Sequence, residues 1–119
     1  MPRVLVLEDE PLIAMMVKEW LEELGCETVG PAATVAKALD LIEGSPVDAA
    51  LLDVSLRDQD CSRVAEVLTK QGVPIAFSSG RPTDGFASRY GQALSLPKPY
   101  DFEALRIVLG HLLPSVAAR

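Results

Sequence analysis

The chain lacks a long hydrophobic run. Nowhere in its 119 residues does it approach the roughly 18 consecutive apolar residues expected of a transmembrane helix. The residues after Met1 enter an apolar strand pattern at Arg3 without the layout of a signal peptide. These absences predict a cytoplasmic protein without a membrane partner.

Cysteines and basic clusters are also scarce. Cys26 and Cys61 have neither metal-ligand spacing nor a redox motif between them, so two reduced thiols are the simplest interpretation. Lys and Arg are scattered and the formal net charge is −6. Such a surface repels phosphate backbones, which argues against direct nucleic-acid binding.

The composition and length suit a single domain over residues 1–119. An apolar fraction of 49% can fill one core. No Pro/Ser-rich linker interrupts the chain, and the last predicted helix leaves too little sequence for an output module.

Short apolar strands alternate with amphipathic helices. The strand patterns lie at 3–7, 27–30, 49–52, 74–77 and 93–96, and the helical patterns at 11–24, 34–44, 62–70 and 102–112. The weak periodicity of residues 81–91, with Pro82, Gly85 and Gly91, predicts a loop with at most a short helix. This alternation predicts an α/β fold: a flavodoxin-like, doubly wound parallel sheet of five strands ordered 2-1-3-4-5, with about five helices.

Helical periodicity separates the predicted core from the surface. The apolar stripe of the first helix begins at Leu12 and includes Trp20, which we interpret as a core residue. Met15 at the edge of that stripe and Ile107 off the stripe of the last helix are candidates for a partner surface. His111 falls opposite the apolar face and is expected to be solvated.

Acidic side chains follow two strands that should be neighbours. Glu8 and Asp9 leave the first strand, and Asp53 ends the third. Carboxylates crowded at one sheet edge repel one another unless a cation lies among them. Mg²⁺ suits such a site because it takes one or two carboxylates, a carbonyl and retained waters. The alternative is structural: acidic residues also favour helix starts, and Asp53 could cap a turn.

A hydroxyl and an ammonium should reach the same edge. Ser79 follows the fourth strand, and Lys98 follows the fifth between Pro97 and Pro99, which stiffen its segment. Taken singly, they could be a loop serine and a surface lysine. Together with a divalent ion they supply what phosphoryl transfer to Asp53 requires.

These residues give the chain, over essentially its whole length, a resemblance to the receiver domain of bacterial response regulators. That family has an acidic pair after strand one, an acceptor Asp at the end of strand three, Thr or Ser after strand four and Lys-Pro after strand five. This sequence has Glu8-Asp9, Asp53, Ser79 and Lys98-Pro99 in those places.

The resemblance implies that Asp53 is phosphorylated by a histidine kinase or a histidine phosphotransfer protein. It implies that Asp9 and Asp53 bind Mg²⁺ directly, Glu8 through water, and Ser55 through its carbonyl. Kinase docking would use the first turn of the first helix and the loop at Lys98. The output would be a switched surface of the fourth helix, fifth strand and fifth helix, presented to a downstream protein or a second copy.

The sequence departs from the family pattern in two places. Leu56-Arg57-Asp58 replaces the usual Pro-Gly after strand three, and Ser95 stands where an aromatic residue is common. We therefore expect residues 80–91, rather than a ring at position 95, to carry the switch. Residues 77–81 are similar to the Phe-Ala-Thr-Gly-Tyr pattern of a subgroup of stand-alone receivers.

Three other functions compete with this interpretation. An aspartyl-phosphate phosphatase usually has a second acid two residues after its nucleophile, where this chain has Ser55. A flavodoxin-like binder needs a phosphate loop after strand one, where the acidic residues Glu8–Glu10 would repel phosphate. A receiver-like docking module that is not phosphorylated would not need the acidic residues Glu8, Asp9 and Asp53.

Overall fold

Five parallel strands form one sheet in the order β2-β1-β3-β4-β5. The computed structural model describes residues 1–57, 59–82, 84–90 and 93–117. The strands are β1 (Arg3–Leu7), β2 (Glu27–Ala32), β3 (Ala49–Asp53), β4 (Ile75–Ser79) and β5 (Leu94–Pro97). The helices are α1 (Pro11–Glu23), α2 (Val35–Gly44), α3 (Ser62–Lys70), α4 (Asp84–Ala87), α5 (Phe102–Leu112) and α6 (Pro114–Ala117). The predicted fold class and strand order are confirmed.

Both faces of the sheet are buried, because successive side chains of each strand point to opposite sides. On one side, Leu5 and Leu7 of β1 join Phe77 of β4 in a cluster with α2 and α3. On the other side, Val4 and Val6 join residues of α1 and α5. This two-sided burial explains why the strand sequences are continuous apolar runs.

Helix starts follow the expected capping chemistry. The Thr34 hydroxyl accepts a hydrogen bond from the Lys37 amide at 3.1 Å, as predicted for the start of α2. Asp101 caps α5 in the same way, accepting from the Ala104 amide at 2.8 Å. Pro11 occupies the first position of α1. Local sequence therefore sets three of the helix starts around the sheet.

The first helix differs from its predicted pattern at Leu12. The structure leaves Leu12 80% exposed, because the buried side of α1 is formed by Ala14, Val17 and Leu21. The buried stripe of α1 therefore runs through Ala14 and does not include Leu12. Trp20 is half-buried, with its ring centroid 6.1 Å from that of Phe102.

Other surface predictions agree with the structure. Met15 is 58% and Ile107 49% exposed, and His111 is exposed on α5. Helix α6 extends the described chain beyond the predicted last helix and buries Val116. No helix in the described residues is both long and apolar enough to span a bilayer.

The segment after β4 contains α4 followed by a 3₁₀ turn at Ser88–Tyr90. The described part agrees with the predicted loop containing at most a short helix; Thr83 and Gly91 of the predicted segment lie outside the described residues. The Phe77 ring packs against Phe86 and Tyr90, with centroid distances of 4.9 and 5.5 Å. Periodicity did not reveal this packing, because so short a helix spans about one turn.

Gly30 of β2 is required by its backbone geometry. Its φ is +98°, and a Cβ there would lie 2.7 Å from the Ala32 nitrogen. We expect Gly30→Ala to lower the free energy of unfolding by roughly 2 kcal/mol. Urea denaturation would measure this loss. The control is Gly44→Ala, where a Cβ meets nothing within 4 Å. Equal stability of the two variants would contradict the conclusion that position 30 requires glycine.

Candidate functional site

The predicted site residues converge because the sheet aligns the ends of its strands. Leu7 of β1 pairs with Leu52 of β3, so the residues that follow them meet at one edge. Asp53 then pairs with Ser78 of β4. From β1 the chain adds β2 on one side of the sheet and then β3, β4 and β5 on the other side. The switch point of the topology therefore lies between the neighbouring parallel strands β1 and β3. Binding sites in such sheets form beyond the carboxyl ends of the strands at this point.

Three carboxylates form a cluster at this edge. Oxygens of Glu8, Asp9 and Asp53 all lie within 4.8 Å of one another. Glu8 is 5% and Asp53 4% exposed, while Asp9 is half-buried. Charges this close and this buried repel strongly in the absence of a cation. The spacing fits a hard divalent ion with oxygen ligands, as the sequence predicted.

Lys98 connects two of these carboxylates. Its Nζ lies 2.7 Å from Glu8 Oε1 and 3.1 Å from Asp53 Oδ2. The Lys98 amide also donates to the Ser79 carbonyl at 2.9 Å, which joins the end of β5 to the end of β4. The sequence placed Lys98 at this edge but gave no indication of its contact with Glu8, which depends on side-chain geometry.

Burial and the contacts between opposite charges have opposite effects on the pKa values of Glu8 and Lys98. Burial raises the pKa of Glu8, and the hydrogen bond from Lys98 only partly opposes the rise. Burial by itself would lower the pKa of Lys98, but the hydrogen bonds to Glu8 and Asp53 outweigh it and raise that pKa. Lys98 therefore stays charged at neutral pH, where its ammonium contacts both Glu8 and Asp53.

The loop after β3 orients the predicted acceptor. The Ser55 amide donates to Asp53 Oδ1 at 3.0 Å. The Val54 amide donates to the Ser78 carbonyl at 2.9 Å, which continues the pairing of β3 with β4. One Asp53 oxygen therefore contacts a backbone amide and the other contacts Lys98. The predicted metal contact of the Ser55 carbonyl stays a prediction.

Ser79 lies at the same edge and is buried. Its hydroxyl accepts a hydrogen bond from the Arg81 amide at 3.1 Å. It lines a cavity of about 380 Å³ together with Asp53 and Lys98. The structure thus brings the predicted hydroxyl, ammonium and acceptor carboxylate around one space.

The cavity also has lining residues that the sequence did not identify. Glu10 and Arg57 both border it. Arg57 was noted only as part of the departure from the family's Pro-Gly pattern. Its position four residues after Asp53 is a signal that could have found it, because the loop after a strand end faces the same crevice.

An apolar groove adjoins the crevice. It has a volume of about 350 Å³ and is lined by Ile13, Met16, Gly80, Lys98, Pro99 and Tyr100. Ile13 and Met16 are half-buried rather than fully buried in the core stripe. Burial raises the pKa of Tyr100 to about 12, with a further contribution from the charge of Glu8. The first turn of α1 and the loop at Lys98, which the family resemblance implies for kinase docking, therefore border this groove.

Comparison with known proteins adds a family assignment. The profile described as response regulator receiver domain matches residues 4–109. The chain is 35% identical over 108 residues to the transcriptional regulatory protein PdtaR of Mycobacterium tuberculosis. That match covers 87% of this chain and 52% of PdtaR. The chain therefore spans about half the length of this curated relative.

Solved structures agree with the fold. The solution structure of SdrG from Sphingomonas melonis Fr1 is 39% identical, with a TM-score of 0.81, covering 95% of this chain and 97% of that one. TrrA from Thermotoga maritima, in complex with Mg²⁺-BeF, is 26% identical with a TM-score of 0.83, covering 95% of this chain and 100% of that one. TrrA is a response regulator protein, and both chains are similar in size to the present one.

Proposed function

Since this chain belongs to the response regulator receiver family, we propose that it accepts a phosphoryl group on Asp53 and acts as a phosphorylation switch. The observation that carries the proposal is the bridge from Lys98 to both Asp53 and Glu8, with Asp9 in the same carboxylate cluster. A buried acidic acceptor beside a fixed ammonium is the arrangement that phosphoryl transfer to a carboxylate needs.

Glu8, Asp9 and Asp53 would hold Mg²⁺, and the TrrA complex makes this the natural ion to test. Bound there, the ion would supply positive charge to the phosphoryl oxygens. Asp53 provides the attacking oxygen, and Lys98 offsets charge on the transferred group. The nearby Ser79 hydroxyl accepts from the Arg81 amide and still has its own proton to donate to a phosphoryl oxygen after transfer.

Acetyl phosphate offers a direct test, because it needs no partner protein. We expect intact mass to rise by one phosphoryl group when the protein is incubated with acetyl phosphate and Mg²⁺, and not when EDTA replaces Mg²⁺. No gain under any condition would contradict the proposal and favour a docking module. Steady release of phosphate from phosphomonoesters would favour a phosphatase instead.

The physiological donor in this proposal is a phosphohistidine on a helical bundle. Transfer from a donor protein requires contact beside the crevice, where α1 and the loop at Lys98 border an apolar groove. The same helix carries two exposed apolar side chains, Leu12 and Met15. Exposed apolar side chains next to a transfer site favour a protein partner.

We expect Leu12→Glu with Met15→Glu to slow transfer from the cognate histidine kinase by about tenfold or more, because charge replaces apolar contact. Labelling by acetyl phosphate should be unchanged, since both residues are exposed on the surface. Ile107→Glu on α5 is the control. Loss of kinase transfer in the α5 variant, with the α1 variant unaffected, would place docking on the other surface.

The switch itself is proposed to lie in the segment after Ser79. Phosphorylated Asp53 should draw the Ser79 hydroxyl and Lys98 inward, and Phe77, which packs on Phe86 and Tyr90, connects β4 to this segment. Beryllofluoride should increase amide protection in residues 80–90, and Ser79→Ala should abolish the increase. A segment already protected at rest and unchanged by beryllofluoride would contradict this.

The remaining parts of the proposal concern context. A cytoplasmic location, a downstream protein target and a possible homodimer follow from the family role. The predicted lack of nucleic-acid binding rests on the net charge of −6. The organisation of residues 1–119 as one receiver domain is likewise a proposal.

A further inference from the structure

Arg57 borders the crevice that contains the proposed phosphoacceptor. It lines the same cavity as Asp9, Asp53 and Lys98. It also lines a neighbouring cavity of about 480 Å³ together with Asp9 and Thr34. Because Arg57 and Asp9 border both spaces, Arg57 lies between the crevice and the cavity beside the start of α2.

The two cations of the crevice differ in their contacts. Lys98 is held by two carboxylates at 2.7 and 3.1 Å. Among the described residues, Arg57 is exposed and its guanidinium has no hydrogen bond or ion pair. Arg57 can therefore turn toward an incoming anion without first breaking a contact, whereas Lys98 cannot.

The charge of the crevice calls for a second cation. The acidic run 8–10 and Asp53 bring four carboxylates to this edge. When all four are ionised, one divalent ion and Lys98 still leave an excess negative charge. The positive charge of Arg57 brings the net charge of the four carboxylates, the divalent ion and Lys98 to zero. A phosphoryl dianion approaching Asp53 would otherwise be repelled at close range.

Guanidinium chemistry matches the group to be bound. Arginine presents a planar fork of N–H donors that can bind two phosphoryl oxygens at once, and it keeps its charge at any physiological pH. We propose that Arg57 binds the phosphoryl group of the donor, donating to its non-bridging oxygens before and during transfer to Asp53. This inference rests on the proposed function of Asp53 as acceptor.

Phosphoramidate is the appropriate probe because it presents a P–N bond, as phosphohistidine does. A carboxylate oxygen of Asp53 forms the new O–P bond while the P–N bond breaks. The bonding electron pair leaves with the already protonated nitrogen, which departs as neutral ammonia. The reaction needs no oxidant, reductant or further proton.

The test compares Arg57→Gln with Arg63→Gln, since both remove one positive charge and Arg63 is exposed on α3 away from the crevice lining. Two quantities are measured: the rate of phosphorylation by phosphoramidate at saturating Mg²⁺, and the Mg²⁺ dissociation constant by calorimetry. We expect Arg57→Gln to slow phosphorylation by about tenfold or more. Its Mg²⁺ affinity should be unchanged or tighter, because a positive charge near Asp9 is lost. Arg57→Lys should give an intermediate rate.

Each alternative outcome has a distinct meaning. If Arg57→Gln is phosphorylated as fast as Arg63→Gln, Arg57 does not bind the phosphoryl group, and Asp53 remains the acceptor. If the slower rate comes with an equal loss of Mg²⁺ affinity, the effect belongs to the metal site and the inference is wrong. If the wild-type protein gains no phosphoryl group, the proposed function fails and this inference fails with it.

Discussion

Asp53→Asn should gain no phosphoryl group from acetyl phosphate and Mg²⁺ under conditions that label the wild-type protein. The substitution removes the nucleophilic carboxylate and one of the three clustered charges while keeping the shape of the side chain. Intact mass spectrometry measures the result. Asp40→Asn, at an exposed position of α2, is the matched control and should be labelled as the wild type is.

Asp53→Asn should also remain folded. An amide can still accept the hydrogen bond from the Ser55 amide, and removing one carboxylate relieves repulsion with Glu8 and Asp9. We expect its melting temperature without Mg²⁺ to equal or exceed that of the wild type. Labelling of Asp53→Asn at the wild-type rate would contradict the assignment of the acceptor, and an unfolded variant would contradict the electrostatic account.

Lys98→Met should have the second large effect, on stability without metal. It leaves Glu8 and Asp53 buried without their shared cation. We expect the free energy of unfolding to fall by about 2 kcal/mol, because an uncompensated buried charge is costly. Saturating Mg²⁺ should recover much of the loss, since an ion that binds only the folded state stabilises it. Denaturant titration with and without Mg²⁺ measures both quantities.

A double-mutant cycle with Glu8→Gln separates charge from packing. Because burial raises the pKa of Glu8, the folded state disfavours its ionised form, and Glu8→Gln should offset part of the loss caused by Lys98→Met. Additive effects of the two substitutions would contradict the coupling that the 2.7 Å contact implies.

The pH dependence of the Lys98 contribution has a definite sign. Its pKa is higher in the folded state than the ordinary value of 10.5, so its stabilisation is fully present below pH 10.5. The stabilisation is lost as pH rises through the higher folded-state pKa. The stability difference between wild type and Lys98→Met should therefore be constant from neutral pH to about 10 and narrow above it. A stability difference between the two proteins that grew above pH 10 would contradict a raised pKa of Lys98 in the folded state.

Strand order and the convergence of the site could be predicted from sequence, for a physical reason. Residues that end parallel strands must meet at one edge, so Glu8, Asp53 and Lys98 are placed together by topology once the strands are recognised. The same reasoning cannot give side-chain contacts. Whether Lys98 contacts Glu8, Asp53 or neither depends on rotamers and burial, which leave no trace in the spacing of residues.

Helical periodicity did not predict side-chain burial correctly at the start of a helix or in a helix of a single turn. Leu12 fits the apolar stripe of α1 by spacing, but the buried side of the helix is formed by Ala14, Val17 and Leu21. The packing of Phe86 and Tyr90 on Phe77 was missed because a single turn has no period to detect. Arg57 has no periodic pattern around it, so only its position four residues after Asp53 could have identified it as a site residue.

Borohydride trapping followed by peptide mapping tests most directly whether the acyl phosphate forms on Asp53. Borohydride reduces an aspartyl phosphate to homoserine, so the modified position is read from the peptide mass. After treatment with phosphoramidate and Mg²⁺, we predict homoserine at position 53 alone, and none when EDTA replaces Mg²⁺. Homoserine at another aspartate, with position 53 unmodified, would contradict the account.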